Sequence, residues 1–456
     1  MKIIIYGAGE IGYSIAAYLA AEEHDIVVID EDPDRIAHVS ETLDVRTLQG
    51  HASYPDILEK AEASKTDLLI AVSATDEFNI MACQVAYSVF DVPIKIAHIR
   101  SDHYLDASWR HIYNPDNVPV DFIISPEREV AESLVENFKV PGTTSVIPVP
   151  DAPVSIVSLH CYQGSPLLEM PLAAIGEKFP ELPFRVLTVI RQGNPLIPGP
   201  TDILKPEDEI YVTLERAHLA RFLSVFGVES EPLDKLIIAG AGNVGISLAE
   251  TMAAHMPDVN VKIIEKDAAI ARKAAQTLED VVVIHGDALD AKALREANVS
   301  SADMMVSVTS NDEVNVVSAL LAKNFEAKHV TALVNKDSYP KFLPSLGVDS
   351  VLSPGTITIS HILQHVRQGN IKSLCVLQGG FGEIFENKVE GDSPLIGEKF
   401  RLFNVPGQSN LGGVIRDGEF LIPRSQEFIQ AGDHLILLVM RDSITQIETL
   451  FRSRSL

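Results

Sequence analysis

The stretch Ile3-Ile4-Ile5-Tyr6-Gly7-Ala8-Gly9-Glu10-Ile11-Gly12 reads as an apolar strand running into a glycine-rich turn. The stretch Leu236-Ile237-Ile238-Ala239-Gly240-Ala241-Gly242-Asn243-Val244-Gly245 repeats it about half a chain later. Three glycines at this spacing have separate tasks. The first permits a tight turn, the second lets phosphate approach the backbone, and the third lets the following helix pack closely. Free N–H groups at that helix start point at the anion. A lone G-x-G-x-x-G is a weak signal, but here each copy follows a buried strand and opens a helix pattern, which is the context the motif requires.

Downstream of each turn, short apolar runs alternate with helix-like stretches. In the first copy the strand pattern falls on Ile3–Tyr6, Ile26–Asp30, Val45–Gln49, Leu68–Ser73, Ile94–Ile99 and Phe122–Ile124. Helix patterns fall on Ile11–Glu22, Pro33–Glu41, Tyr54–Ala61, Asp76–Val89 and His103–Trp109. Strands made almost wholly of Ile, Val and Leu are buried on both faces, so this alternation predicts a parallel, doubly wound α/β sheet of Rossmann type.

Further matches recur in the same order. Gln49-Gly50-His51-Ala52 pairs with His285-Gly286-Asp287-Ala288, Asp76-Glu77-Phe78-Asn79 with Asp312-Glu313-Val314-Asn315, and Ser125-Pro126 with Ser353-Pro354. The segments after each sheet also match, through Ser165-Pro166-Leu167 with Ser393-Pro394-Leu395 and Ile190-Arg191-Gln192-Gly193 with Ile415-Arg416-Asp417-Gly418. They alternate in period two around Pro and Gly turns, which predicts small α+β modules. The expected division is 1–140, 141–230, 231–369 and 370–456, a Rossmann-like domain followed by a small module, twice over.

Each copy carries its own candidate nucleotide site. Asp30 ends the second strand of the first copy and Glu265 that of the second. A carboxylate there accepts hydrogen bonds from ribose hydroxyls and repels a 2′-phosphate, so both sites should prefer NAD(H) or an adenine nucleotide to NADP(H). His51 and Asp287 follow the third strand, at the edge where open α/β sheets bind ligands. Asp287 can accept from adenine or ribose; His51 can stack, hydrogen-bond, or simply face solvent. After the fourth strand, Ser73-Ala74 and Thr309-Ser310 either contact the ligand or help to cap the next helix. His98 and Arg100 stand at alternate positions of the fifth strand and so share a face, with Arg100 a candidate phosphate ligand. The second copy has Leu333 and Asn335 there.

Composition narrows the function. The 456 residues are 46% hydrophobic and 22% charged, as in a folded chain of two to four domains. A formal charge of −26 argues against nucleic-acid binding. No apolar run is long enough to span a bilayer, and the N-terminus has no export signal, so a cytoplasmic location is expected. Cys83, Cys161 and Cys375 are scattered without zinc spacing, which fits a reducing compartment. The P-loop pattern is absent, and no acid–base set marks a hydride-transfer site. An NAD-dependent oxidoreductase remains the alternative. The main reading is a sensor in which nucleotides bias a conformational equilibrium.

The turn K-I-I-I-Y-G-A-G-E-I-G, the segments Q-G-H-A-S-Y-P-D-I-L and D-E-F-N-I-M-A-C-Q-V-A-Y-S, and the duplicated layout resemble the TrkA family over essentially the whole chain. Members of that family are peripheral cytoplasmic subunits of bacterial Trk potassium uptake systems, and each half is similar to an RCK unit. The resemblance implies a homotetramer, a gating ring of eight RCK units, beneath a TrkH-type membrane subunit at the inner membrane. It implies that NAD(H) and ATP/ADP binding gates the ion path. It carries over Gly7, Ala8, Gly9, Glu10 and Ile11, with Asp30, His51, Ser73, Ala74 and His98, to the first site. It carries over Gly240, Ala241, Gly242, Asn243 and Val244, with Glu265, Asp287, Thr309 and Ser310, to the second. The family often has Arg at the position of His98, a role Arg100 could take. The helices opened by Ser125-Pro126 and Ser353-Pro354 would each cross to a neighbouring unit. An RCK regulator of another cation transporter is the remaining alternative.

Overall fold

Residues 2–6 place Ile3, Ile4, Ile5 and Tyr6 fully out of water, and this strand, β1, seeds the first sheet. A computed structural model describes residues 1–456 apart from 23, 107, 229–230, 337–338, 340–342, 344–345, 368–370 and 452–456. The expected domain limits at 230 and at 369–370 lie outside the described residues, as does position 107 of the expected helix His103–Trp109.

Around β1 (Lys2–Tyr6) run β2 (Asp25–Asp30), β3 (Arg46–Gln49), β4 (Leu68–Ala71), β5 (Ile94–His98) and β6 (Phe122–Ile124), in the order β3-β2-β1-β4-β5-β6, all parallel. The second copy repeats this with β12 (Lys235–Ala239), β13 (Asn260–Glu265), β14 (Val282–His285), β15 (Met304–Ser307), β16 (His329–Leu333) and β17 (Ser350–Leu352), ordered β14-β13-β12-β15-β16-β17. In both sheets the order reverses beside the glycine turn, which opens the crevice used by nucleotide-binding α/β folds. The helices α1 (Glu10–Ala20), α4 (Asp76–Phe90), α9 (Asn243–His255) and α12 (Asp312–Asn324) match the sequence reading within two residues where it named them. One segment differs. Only Asp102–Leu105 is α-helical, and a single 3-10 turn at Arg110–Ile112 follows. Asp106 accepts from Ser108 N at 2.7 Å, a side-chain turn that competes with the weak helical pattern and ends the helix early.

The small modules are α+β, as expected. Strands β7 (Ser145–Pro148), β8 (Val154–His160), β9 (Phe184–Arg191), β10 (Asn194–Leu196) and β11 (Glu209–Glu215) form an antiparallel sheet ordered β7-β8-β11-β9-β10. Strands β18 (Ile371–Val376), β19 (Gly382–Lys388), β20 (Ser409–Arg416), β21 (Glu419–Leu421) and β22 (His434–Met440) repeat the same topology. Their hairpins are two-residue turns at Gln192-Gly193 (φ 52° and 74°) and Asp417-Gly418 (φ 53° and 84°). Two consecutive positive φ values match the twist of the flanking strands, and a glycine supplies one of them without strain. Behind each hairpin an arginine grips a fully buried aspartate: Arg191 to Asp208 at 2.7 Å and 2.8 Å, Arg416 to Asp433 at 2.7 Å and 2.8 Å.

The two small modules pack sheet on sheet. Val154, Ile156, Leu187 and Tyr211 share one core with Ile384, Ile415, Ile436 and Leu438. Asn410 donates to the carbonyls of Val186 (3.1 Å) and Leu187 (2.8 Å), and Thr213 donates to the Gly412 carbonyl at 2.7 Å.

The chain forms two compact units: Met1–Glu129 with Pro354–Ile362, and Val130–Ser353 with Leu363–Leu456. The division does not follow the four-part sequence order. Helix α6 (Pro126–Phe138) follows the first sheet, yet from Val130 it belongs to the unit of the second sheet. Helix α13 (Pro354–Val366) follows the second sheet, yet its first turns belong to the unit of the first.

Candidate nucleotide sites

Gly7 has φ +108° and Gly240 φ +109°, a backbone that L side chains rarely adopt. A Cβ on Gly12 would lie 1.8 Å from the Gly7 carbonyl oxygen, and one on Gly245 2.0 Å from that of Gly240. These third glycines are required because the helix closes against the turn itself, a tighter constraint than packing on the sheet. A Cβ on Gly242 would meet open space, and one on Gly9 only the Arg35 guanidinium at 4.0 Å. No side chain caps α1 or α9, so their first N–H groups stay available over the turns that Ala8-Gly9-Glu10-Ile11 and Ala241-Gly242-Asn243-Val244 form.

Asp30 is buried and already engaged. It accepts from Ala8 N at 2.6 Å and Asp32 N at 2.9 Å. Glu265 repeats this with Ala241 N and Asp267 N, both at 2.7 Å. Each carboxylate therefore braces the glycine turn against the following helix, which fixes its orientation toward the crevice. Arg35, absent from the sequence reading, lies 3.8 Å from Asp30. In the second copy Ile270 takes the matching position, and Lys266 instead pairs with Asp287 at 2.9 Å. A backbone hydrogen bond from Leu289, then Lys266, holds the Asp287 carboxyl below the usual range.

His51 is not a solvent-facing turn residue. Its ring lies 3.1 Å from the Tyr6 hydroxyl and 2.7 Å from Ser53 Oγ. Tyr54 stacks on it at 5.1 Å between centroids, and the Phe78 ring meets it edge-on at 4.3 Å. Burial pushes the Tyr6 phenol up to about 12, so it remains a neutral partner. Sequence distance hides this cluster, since Tyr6, His51 and Phe78 lie on three separate elements.

Ser73 and Thr309 turn inward. Each hydroxyl donates at 2.6 Å to a fully buried amide oxygen, Asn79 Oδ1 or Asn315 Oδ1. The amide nitrogens then donate to the carbonyls of His98 (2.8 Å) and Leu333 (2.9 Å). These two asparagines lock the loop after the fourth strand to the end of the fifth. The repeated D-E-x-N pattern marked them, but nothing local revealed what they bind. Capping by the next residues is unequal: Asn311 accepts from Val314 N at 2.8 Å, whereas Thr75 makes no side-chain cap. Ser310 is exposed.

The far ends of the sites differ most. Strand β5 ends at His98, so Arg100 lies just past it, but the two side chains still meet, with Arg100 Nη2 3.4 Å from His98 Nδ1. Arg100 donates to the Ala74 carbonyl at 2.5 Å and approaches Glu127 at 3.4 Å. Glu127, on the first turn of α6, also lies 3.3 Å from His98 Nε2. Burial by itself would raise Glu127, but His98 and Arg100 hold its carboxyl below the ordinary carboxylate range. The second copy has buried Leu333, and Asn335 donating to Asp312 at 3.0 Å. The sequence position matching Glu127 is Gly355. One site thus ends in Arg100 and Glu127 around His98, and the other in Leu333 and an Asn335 amide bound to Asp312, with no cation at the position of Arg100.

Among the described residues no group of His, Cys, Asp and Glu could hold a metal ion, and no helix is long and apolar enough to cross a membrane. Cys83, Cys161 and Cys375 are buried core residues with free thiols, and burial pushes these thiols up to about 12.

Comparison with known proteins agrees with the doubled architecture. The family model described as the TrkA-N domain matches residues 3–126 and 236–354. The Trk system potassium uptake protein TrkA of Azorhizobium caulinodans is 36% identical over 99% of both chains. That of Vibrio alginolyticus is 34% identical, again over 99% of each. Among solved structures, the GsuK channel bound to NAD superposes with a TM-score of 0.62 at 17% identity, covering 98% of this chain and 79% of that one, which shows a shared fold. With two TrkA-N matches and full-length relatives above 30% identity, the chain belongs to the TrkA family of Trk system potassium uptake proteins.

Proposed function

We propose that the chain is a regulatory, nucleotide-binding subunit of a Trk-type potassium uptake system. The observation that carries the reading is the pair of complete glycine turns, each braced by its own carboxylate, with distal ends of different charge. In each turn, the phosphates of NAD(H) or ATP/ADP lie on the uncapped helix start at Gly7 to Gly12 or Gly240 to Gly245. Asp30 and Glu265 accept from ribose. His51 with its aromatic neighbours, and Asp287, border the base. Ser73, Ala74, His98 and Arg100 border the far end of the first site, and Thr309 and Ser310 that of the second. Binding energy that differs between two arrangements of the chain is all that gating needs, and no catalytic role is assigned.

The working partition is 1–140, 141–230, 231–369 and 370–456. The proposed assembly is a homotetramer, a ring of eight RCK units, docked on a TrkH-type membrane subunit at the cytoplasmic face of the inner membrane. Full-length similarity to named potassium uptake proteins supports that partner. The test is potassium uptake under potassium limitation, in cells lacking the chain and in cells carrying it with Gly9→Asp and Gly242→Asp. Uptake should fall in the first and lose nucleotide control in the second; unchanged uptake in both overturns the proposal. Sustained NADH consumption with a carbonyl substrate would favour an oxidoreductase instead.

A further inference from the structure

The second parallel sheet carries a cavity of about 280 Å³ at the edge opposite its glycine turn. Phe138 and Pro141, at the end of α6, form one wall, and Met304 and Leu233, where β15 and β12 begin, form another. The remaining lining is Pro232 and a polar group of Glu231, Asp303, Lys328 and His329. Lys328 Nζ lies 2.7 Å from Glu231 and 2.9 Å from Asp303, so two carboxylates converge on one ammonium. Beside them, burial pulls His329 below its ordinary value, so the ring adds no positive charge near neutral pH. The polar end therefore has an excess of one negative charge, next to an apolar body.

This chemistry is particular to the second copy. In the second sheet Met304 pairs in register with His329, preceded by Lys328. In the first sheet the same register pairs Leu68 with Ile94, preceded by Pro93. A flexible thioether, an imidazole and an ammonium replace three rigid apolar residues. Lys328 is exposed and paired, so the exchange adds nothing to the core; it places charge at the mouth of the cavity in the second copy alone.

We propose that this cavity is a ligand site separate from the nucleotide turns, selective for a small organic monocation: a primary amine on a short aromatic or aliphatic body. The ammonium joins Glu231 and Asp303, sharing their charge with Lys328. The body lies against Phe138, Pro141 and Met304. An anion would have to take Lys328 from both carboxylates at once, so a carboxylate ligand of the same shape is excluded. The volume lies at the lower limit of small-molecule pockets, which restricts the ligand to a simple amine.

The test is calorimetry on the full chain with 2-phenylethylamine, and with phenylacetate as the anion of matched shape. The amine should bind saturably and at least about tenfold more tightly than phenylacetate. Met304→Trp, which fills the cavity, should abolish amine binding. Glu231→Gln, an exposed substitution that leaves the fold intact, should weaken it by about threefold or more. No saturable amine binding to the unaltered chain, equal affinity for phenylacetate, or unchanged binding in Glu231→Gln each overturns the proposal.

Discussion

Glu127 Oε2 lies 3.3 Å from His98 Nε2, and this contact ties the first turn of α6 to the end of β5 in the first site. Arg100 approaches the same carboxylate at 3.4 Å, so any anion that engages Arg100 competes with Glu127. Helix α6 leaves this site and continues into the other compact unit from Val130.

Glu127→Gln should cost about 1–3 kcal/mol at neutral pH, the scale for a buried hydrogen bond to a charged group. Its folded carboxyl is held below the ordinary range, so this stabilisation is present above the unfolded value of about 4.3 and is lost as pH falls through the folded value. Melting temperatures of the two proteins should differ most near pH 7 and converge on acidification below about pH 4. A difference that stays constant down to about pH 3 would count against the contact.

Gly12→Ala and Gly245→Ala should each cost about 3 kcal/mol, because the new methyl would meet backbone oxygen at 1.8 Å and 2.0 Å. Gly9→Ala and Gly242→Ala should change thermal stability little, since a Cβ there enters open space or the reach of a flexible side chain. They should instead weaken nucleotide binding. Paired melting and calorimetry curves separate the two effects.

Asp30→Ala should weaken nucleotide binding at the first site only, and Glu265→Ala at the second only. Each also removes two short hydrogen bonds to backbone N–H, at 2.6 Å and 2.9 Å or 2.7 Å and 2.7 Å, so a stability loss of about 1–3 kcal/mol should accompany it. Calorimetry of NAD(H), ADP and ATP would refute the assignment if affinity at the altered site were unchanged.

The first site, with Arg100 at its far end, should lose affinity for a di- or triphosphate by about tenfold in Arg100→Ala. Asn335→Ala should leave nucleotide affinity at the second site nearly unaltered, because its amide is spent on Asp312 at 3.0 Å. Equal losses at both sites would show that the charge contrast does not set preference.

Asn410→Ala should cost about 1–3 kcal/mol, since it strips hydrogen bonds from the Val186 and Leu187 carbonyls inside the pairing of the small modules. Gly412→Val should be worse, as even a Cβ would lie 2.4 Å from the Leu187 side chain. Chemical denaturation of each variant measures both losses.

The sequence by itself determined the repeat, the two parallel sheets, the glycine turns and the carboxylates that follow them. Those features are written in local patterns: apolar runs of Ile and Val, positive-φ glycines, and acids at fixed strand ends. Even the His98 and Leu333 contrast could be read by aligning the halves. The partners of the site residues were another matter. His51 finds Tyr6 and Phe78, Ser73 finds Asn79, and His98 finds Glu127 only when the sheet brings their elements together. Asn410 reaches Leu187 across 223 residues, a separation over which no periodic signal survives. The allotment of α6 and α13 to the two compact units was likewise decided by tertiary packing, because an amphipathic helix specifies that a face is buried and not which sheet buries it.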